Sequence, residues 1–451
     1  MVGAQAELQA ALQLLEAELA TELEARDLPS LSVGVVRDAA FTWTLCLGQA
    51  DCERQIESTP QTLYSIGSIT KLFTATMVMQ LRDAGKLQLD EGIEGYLPEL
   101  RIRSRFGDGR QVTFRQALSH TAGLPKDAPF PYWETLRFPS AEELLRHLDP
   151  VDLALPPATM YKYSNLGPTL VGLAAERLAG RPYEAHVREA ILRPLGMTSS
   201  GFAPEEQSVP MAVGYLPRAV DSPRERAPRY DIGALRRAGG MWSSAEELTR
   251  FLRLQLHRGP AGAEHILAGT TLREMHSPVW LDDDWSRGMG IGWHIGRIDA
   301  TTTVFHGGND TGFDSIVILV PSRRLGVAVL VNTNTDVESL AHLVLDILLP
   351  VFDRMDARNH VSPLVPLQPD WERYVGTYVG RFATMRIQIR NGQFVGGLTP
   401  EADEITLVPA QERSFWMQGG FLNGELLTFE VDQQGAVTGL HAMSDLWVRR
   451  E

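Results

Sequence analysis

Ser68-Ile69-Thr70-Lys71 sets a serine hydroxyl three residues ahead of a lysine amine. Positions i and i+3 of a helix share a face, so the two groups can meet. A serine becomes a nucleophile when a neighbouring base takes its proton, and a lysine withdrawn from water can be that base. The start of a helix adds backbone N–H groups and a positive dipole end where oxyanion charge would develop. The pairing gains weight because lysine is scarce: of 42 basic residues only Lys71, Lys86, Lys126 and Lys162 are lysine. Against 23 serines, chance supplies about 0.2 such pairs.

Tyr163-Ser164-Asn165 is a second candidate. A tyrosine beside a cationic lysine can shuttle a proton between nucleophile and leaving group, and an asparagine amide can bind the lysine and a substrate carbonyl together. Its plain alternative is a turn at a helix start with Asn165 as the cap. His306-Gly307-Gly308, at the end of a strand, is a third. Glycines let a substrate backbone lie against a strand edge, and the next N–H can complete an oxyanion hole. A histidine there would add an ionisation near pH 6–7, about its ordinary range. Alone, a strand-end histidine in a glycine turn carries little.

The elements that must position these residues follow from periodicity. Leu8, Leu12, Leu15, Leu19 and Leu23 form one stripe of an opening helix that ends near Pro29. Strands over 31–37 and 41–47 flank a turn at Asp38-Ala39-Ala40, and a helix runs from about Ser68 to Asp83. Helices and turns dominate to about residue 290, with capping boxes at Thr113/Gln116, Ser140/Glu143 and Ser244/Glu247. Strands return at 301–305, 315–320 and 326–332, followed by a helix over 340–352. This order predicts one α/β domain over 1–356, an antiparallel sheet flanked by helices, with a helical insertion over about 86–290. Pro363, Pro366 and Pro369 mark a linker over 357–370. Residues 371–451 then alternate in short strands, with an Asn391-Gly392 turn, and predict a small all-β barrel or sandwich.

Composition narrows the partners. The 451 residues carry a net charge of −14, which disfavours nucleic acid held through its phosphates. No apolar run reaches the roughly 18 residues of a membrane helix, and the N-terminus lacks a basic region followed by an apolar one, so neither membrane nor signal peptide is expected. A removed leader stays open. Cys46 and Cys52, outside any metal spacing, read as free thiols of a reducing cytoplasm. The Arg-rich stretch 218–237 reads as a solvated loop and Asp282-Asp283-Asp284 as an exposed turn. Trp133 and Tyr132 could line a cleft. No GxSxG, HExxH or P-loop pattern occurs, and neither metal nor cofactor is expected.

Taken in order, SxxK, YxN and HGG resemble the serine β-lactamase and penicillin-binding-protein superfamily, in its class C β-lactamase-related branch. LSHTAGLP at 118–125, LGMTSSGF at 195–202, AGGMWSSAEEL at 238–248 and HGGNDTGF at 306–313 carry the resemblance further. It implies a class C β-lactamase-like fold, Ser68 as the acylated nucleophile, Lys71 and Tyr163 as the acid/base pair, and Asn165 orienting substrate. The N–H groups of Ser68 and Asn309 would form the oxyanion hole, with His306, Gly307 and Gly308 along the substrate. Penicillin-recognising members usually have Lys-Thr-Gly where this chain has His306-Gly307-Gly308, so the departure favours peptidase relatives of the D-aminopeptidase or DD-peptidase type. A carboxylesterase comes next, then a β-lactamase, and last a penicillin-binding protein without turnover. Trp371–Tyr378 (WERYVGTY) is similar to the start of the lipocalin-like barrel appended to some of these peptidases. The expected partners are a small peptide, amide or ester, and a homo-oligomer stays open.

Overall fold

The computed structural model describes residues 2–38, 41–106, 111–148, 151–218, 222–256, 266–298, 301–359, 368–381, 383–399, 404–443 and 445–450. It divides into two units, Met1–Phe352 and Asp353–Glu451. The first is built on a nine-stranded sheet whose strands lie in the order Ile56–Glu57, Phe41–Asp51, Ser30–Arg37, Leu325–Val331, Phe313–Val320, Thr301–Asp310, His294–Ile298, Gly288–Met289 and Trp280–Leu281. Among the described residues every strand pairing in this sheet is antiparallel. The two ends of the unit meet at its centre, where Leu31 faces Val331 and Arg37 faces Leu325. Ser30–Arg37 is buried along its whole length.

On one face the helix Ala245–Gln255 lies so close that a Cβ on Gly34 would stand 2.6 Å from the Ala245 carbonyl oxygen. Ser244 caps this helix by accepting from Glu247 N–H, but the expected box is only half formed. The Glu247 carboxylate turns instead to the N–H groups of Ser199 and Ser200. Both halves are present at Thr113/Gln116 and Ser140/Glu143. The helix Thr70–Asp83 is buried on nearly all sides, which its even scatter of Leu, Phe, Met, Ala and Thr anticipates. Phe73 stacks on Phe251 with ring centroids 4.2 Å apart. The opening helix spans Val2–Ala25, with Leu15 and Leu19 wholly buried.

Several boundaries differ from the sequence-based expectation. The helix that follows the Leu325–Val331 strand runs Val337–Asn359 with Pro350 inside it. Its final residues, DRMDARN, are polar, so no apolar stripe marks them. The Thr301–Asp310 strand carries His306-Gly307-Gly308 within it. The Arg-rich stretch is tied down: Arg218 and Arg224 pair with Asp27, Arg226 with Asp51 and Glu53, and Arg237 with Glu176. Residues 39–40, 219–221 and most of the proline linker (360–367) lie outside the described residues. Cys46 and Cys52 are free thiols. Among the described residues no helix is long and apolar enough to cross a membrane.

The second unit is a closed barrel of eight strands from Gly376–Val379 to Asp445–Arg450, sealed by the pairing of Tyr378 with Arg449. Asn391 and Gly392 both take positive φ (49° and 74°), the left-handed pair that a tight two-residue hairpin turn requires. Tyr374 stacks on Phe429 at 4.2 Å, and Phe394 and Phe415 pack at 5.0 Å beside Trp371.

Candidate active site

Ser68 lies in the tight 3₁₀ turn Gly67–Ile69 that feeds the Thr70–Asp83 helix. Gly67 has φ 46°, and a Cβ there would stand 2.8 Å from the backbone nitrogen of Asn309. The turn is thus pressed against the Thr301–Asp310 strand. Gly308 completes the approach from the other side: a Cβ on it would come within 2.0 Å of the Ile66 carbonyl oxygen. A third segment, Ala238–Met241, is laced to the turn by Ile66 N–H to Met241 O (3.0 Å) and Met241 N–H to Thr70 Oγ1 (3.1 Å).

Lys71 is only 1 % exposed, and its Nζ has three partners. It lies 2.9 Å from Ser68 Oγ, 2.9 Å from Asn165 Oδ1 and 2.8 Å from the Ala238 carbonyl oxygen. The last two groups can only accept, so they occupy two N–H bonds whatever the proton state of the amine. The third tetrahedral position, an N–H or a lone pair, faces Ser68. Tyr163 Oη lies 2.8 Å from the same Ser68 Oγ, and the Lys71 ammonium stands 5.0 Å from the Tyr163 ring centre.

The Tyr163–Asn165 segment is held by the stretch around LSHTAGLP. Lys162 N–H donates to His120 O, Ser164 N–H to His120 Nδ1, Ser164 Oγ to Pro125 O, and Asn165 N–H to Lys126 O at 2.6 Å. His120 takes φ 56°, an uncommon conformation for a side-chain-bearing residue, and lays its ring 4.5 Å from that of Tyr163. Asn165 stands at the start of the Leu166–Ala179 helix, yet its side chain makes no capping bond. It reaches Lys71 through Oδ1 and the Asp127 carboxylate through Nδ2, at 2.9 Å.

His306 departs from expectation. It is 1 % exposed, its Nδ1–H donates to Gly307 O at 2.6 Å, and its Nε2 has no partner among the described residues. Burial, then the neighbouring His294 and Lys71 charges, hold its pKa well below the usual range. No histidine ionisation near pH 6–7 arises here. Burial likewise lowers His120 strongly and brings His294, 5.2 Å from the His306 ring, to about 4. All three rings are neutral at working pH.

Ser68, Tyr163, Asn165 and the 306–309 segment line a cavity of about 610 Å³. Trp133 also lines it, while Tyr132 is buried beneath. Asp310, Asp314, Asp336 and Glu338 border the same space, and among the described residues of that lining Lys126 is the one Lys or Arg. Sequence reasoning missed Asp127, His120, His294 and the Ala238 carbonyl. The wording of LSHTAGLP and AGGMWSSAEEL pointed at two of these segments without assigning a role.

A model of the Beta-lactamase family matches residues 15–349, and the chain belongs to that family, whose members are generally serine hydrolases. Beta-lactamase-like protein 2 of Dictyostelium discoideum is 28% identical over 354 residues, covering 76% of this chain and 62% of that protein. The chain spans less than two thirds of the length of the curated relatives it matches. The octameric penicillin-binding protein homologue from Pyrococcus abyssi superposes with TM-score 0.66 at 22% identity, over 97% of this chain and all of that one. A class C β-lactamase superposes with TM-score 0.64 at 21% identity, over 75% of this chain and 96% of that one. The fold is class C β-lactamase-like, joined to an eight-stranded barrel.

Proposed function

We propose that this protein is a serine peptidase that forms an acyl-enzyme on Ser68 and cleaves small peptides or amides. The observation that carries the reading is the convergence of Lys71 Nζ and Tyr163 Oη on one serine oxygen at 2.9 and 2.8 Å, at the edge of an open cavity. The Lys71–Tyr163 pair takes the Ser68 proton as Oγ attacks the carbonyl carbon. The same pair returns it to the leaving amine, and water later releases the acyl group by the reverse sequence. The turn at Ser68 and the strand at Asn309 supply N–H groups for the oxyanion.

Two features favour an amine-bearing substrate over a β-lactam or a carboxylate-terminated peptide. Gly307, exposed on the strand, offers no hydroxyl to a substrate carboxylate. The cavity wall carries four carboxylates, which would repel one. This points to the D-aminopeptidase type ahead of the DD-peptidase type. The missing hydroxyl equally suits uncharged esters, which keeps a carboxylesterase as the second reading.

The test is labelling with a fluorophosphonate and a fluorescent penicillin, mapping of the modified residue, and a panel of D- and L-aminoacyl anilides, short-chain esters and a chromogenic cephalosporin. Modification at Ser68 with fastest turnover of a D-aminoacyl anilide is expected. Modification elsewhere ends the proposal, and fastest turnover of the cephalosporin or of the esters ends the peptidase reading.

A further inference from the structure

We propose that Asp127 is a positioning residue for this reaction: its carboxylate fixes which end of the Asn165 amide faces Lys71. The inference rests on the acyl-enzyme reading above and assigns a role to a residue standing behind the site.

The two ends of an asparagine amide are similar in size but opposite in chemistry, one accepting and the other donating. Lys71 directs an N–H at Asn165, so only Oδ1 suits it. A flipped amide would set N–H against N–H. Nothing in Asn165 itself forbids the flip; the group at its other end does. Asn165 Nδ2 donates to Asp127 Oδ1 at 2.9 Å, and a carboxylate can only accept, so the reversed amide would face repulsion at both ends.

Asp127 is itself held. The Trp133 indole N–H donates to its other oxygen at 3.3 Å, and Asn165 N–H is bonded to the carbonyl of Lys126, the preceding residue. The two loops are thus joined by backbone and side chain together. With Oδ1 fixed, the Lys71 amine has two bonds set, to Asn165 and Ala238, and its remaining position is aimed at Ser68. Asp127 therefore acts on the nucleophile through two intermediaries, Asn165 and Lys71.

The carboxylate also places a negative charge one amide away from Lys71. The titratable groups around Lys71 are Tyr163, His120, His294 and His306, and those beside Asp127 are Tyr132 and Lys126. Burial keeps the three histidines neutral and, with the Asp127 charge, holds the Tyr132 phenol protonated.

The experiment is the rate of fluorophosphonate labelling of Ser68 in the full chain, across pH, for wild type, Asp127→Asn, Asp127→Ala, Asn165→Ala and the double variant Asp127→Ala/Asn165→Ala. We expect Asp127→Ala to slow labelling about 10–100-fold. Asp127→Asn should recover part of the rate, because its amide oxygen can still accept from Asn165 Nδ2. Once Asn165 is absent there is no amide to orient, so the double variant should be within about 3-fold of Asn165→Ala alone. Fully multiplicative losses in the double variant would overturn the inference. So would a defect confined to a raised KM for ammonium-bearing substrates with labelling unchanged, which would make Asp127 a substrate-binding group. If Asp127→Ala fails to fold, the near-isosteric Asp127→Asn takes its place in the double-variant comparison. Wild-type labelling away from Ser68 would defeat the underlying reading; labelling at Ser68 with wild-type rates in the Asp127 variants would defeat this inference alone.

Discussion

The first unit contains two clusters in which a tyrosine hydroxyl meets serine hydroxyls, and only one of them has the form of an active site. Tyr64 Oη lies 2.9, 3.1 and 2.7 Å from the hydroxyls of Ser30, Ser32 and Ser58. The Ser30 hydroxyl donates a hydrogen bond to Asn332 Oδ1, whose amide nitrogen is turned toward backbone carbonyls. The cluster is buried and saturated, and burial raises the Tyr64 pKa above its ordinary value. Around Tyr163 the partners are fewer: one serine, with a lysine within reach and a cavity in front. A tyrosine–serine hydrogen bond is therefore no sign of reactivity in itself. What separates the clusters is a cation that can give up its proton and a space for a carbonyl carbon to approach.

The largest effect should come from exchanging the serines. Ser68→Ala should lower turnover by about four orders of magnitude or more with the fold intact. Ser58→Ala should leave kcat/KM within about twofold and cost about 1–3 kcal/mol of stability, because buried hydroxyls lose a partner. Turnover assays beside denaturant melts separate the two outcomes, and equal losses of activity would erase the distinction between clusters. Lys71→Arg should be next, slowing acylation by about 10²–10⁴-fold although it keeps the charge, since a guanidinium does not release its proton at working pH. Near wild-type acylation in that variant would leave Tyr163 as the base alone.

Smaller effects sharpen the electrostatic side. The pH profile of kcat/KM should rise through neutral to alkaline pH in a single limb, with no added histidine step near pH 6–7. The same neutral histidines couple stability to pH. His294 binds its proton near pH 4 in the folded chain and near 6.5 when unfolded, so the unfolded state takes up more protons between those values. Stability from keeping it neutral is present above the unfolded pKa and is lost as pH falls toward 4, at up to about 1.4 kcal/mol per pH unit. His120 and His306 act in the same direction. Thermal melts should fall between pH 6.5 and 5, and His294→Phe, placed among the rings of Tyr161 and Phe305, should flatten the fall. An unchanged slope would assign the acid sensitivity elsewhere.

What was legible in the sequence depended on the range of the interaction. Ser68 and Lys71 are three residues apart, so their meeting follows from local geometry, although the serine sits in a 3₁₀ turn just before the helix. The hairpin of Ser30–Arg37 and Phe41–Asp51 and the alternating tail followed from period-two patterning. Asp127 could not be read in this way. KDAP has no pattern of its own, and only folding brings its carboxylate to Asn165. The Ala238 carbonyl is less visible still, because a backbone acceptor leaves no mark on residue type. His306 looked like a titrating histidine because spacing says nothing of burial, which requires knowing that His294 lies beside it on the neighbouring strand.

The closed barrel of the second unit has a consequence for cargo. An eight-stranded barrel is wide enough either to hold one small ligand or to be filled by its own side chains. Here Trp371, Tyr374, Phe394, Phe415 and Phe429 interlock, with ring centroids 4.2–6.5 Å apart, and Met385, Ile387, Met417 and Leu427 are buried with them. Among the described residues, these buried side chains occupy space that a carrier would leave open. The tail resembles a ligand-carrying barrel in its opening motif and its strand count, yet it is built as a plug without a cup.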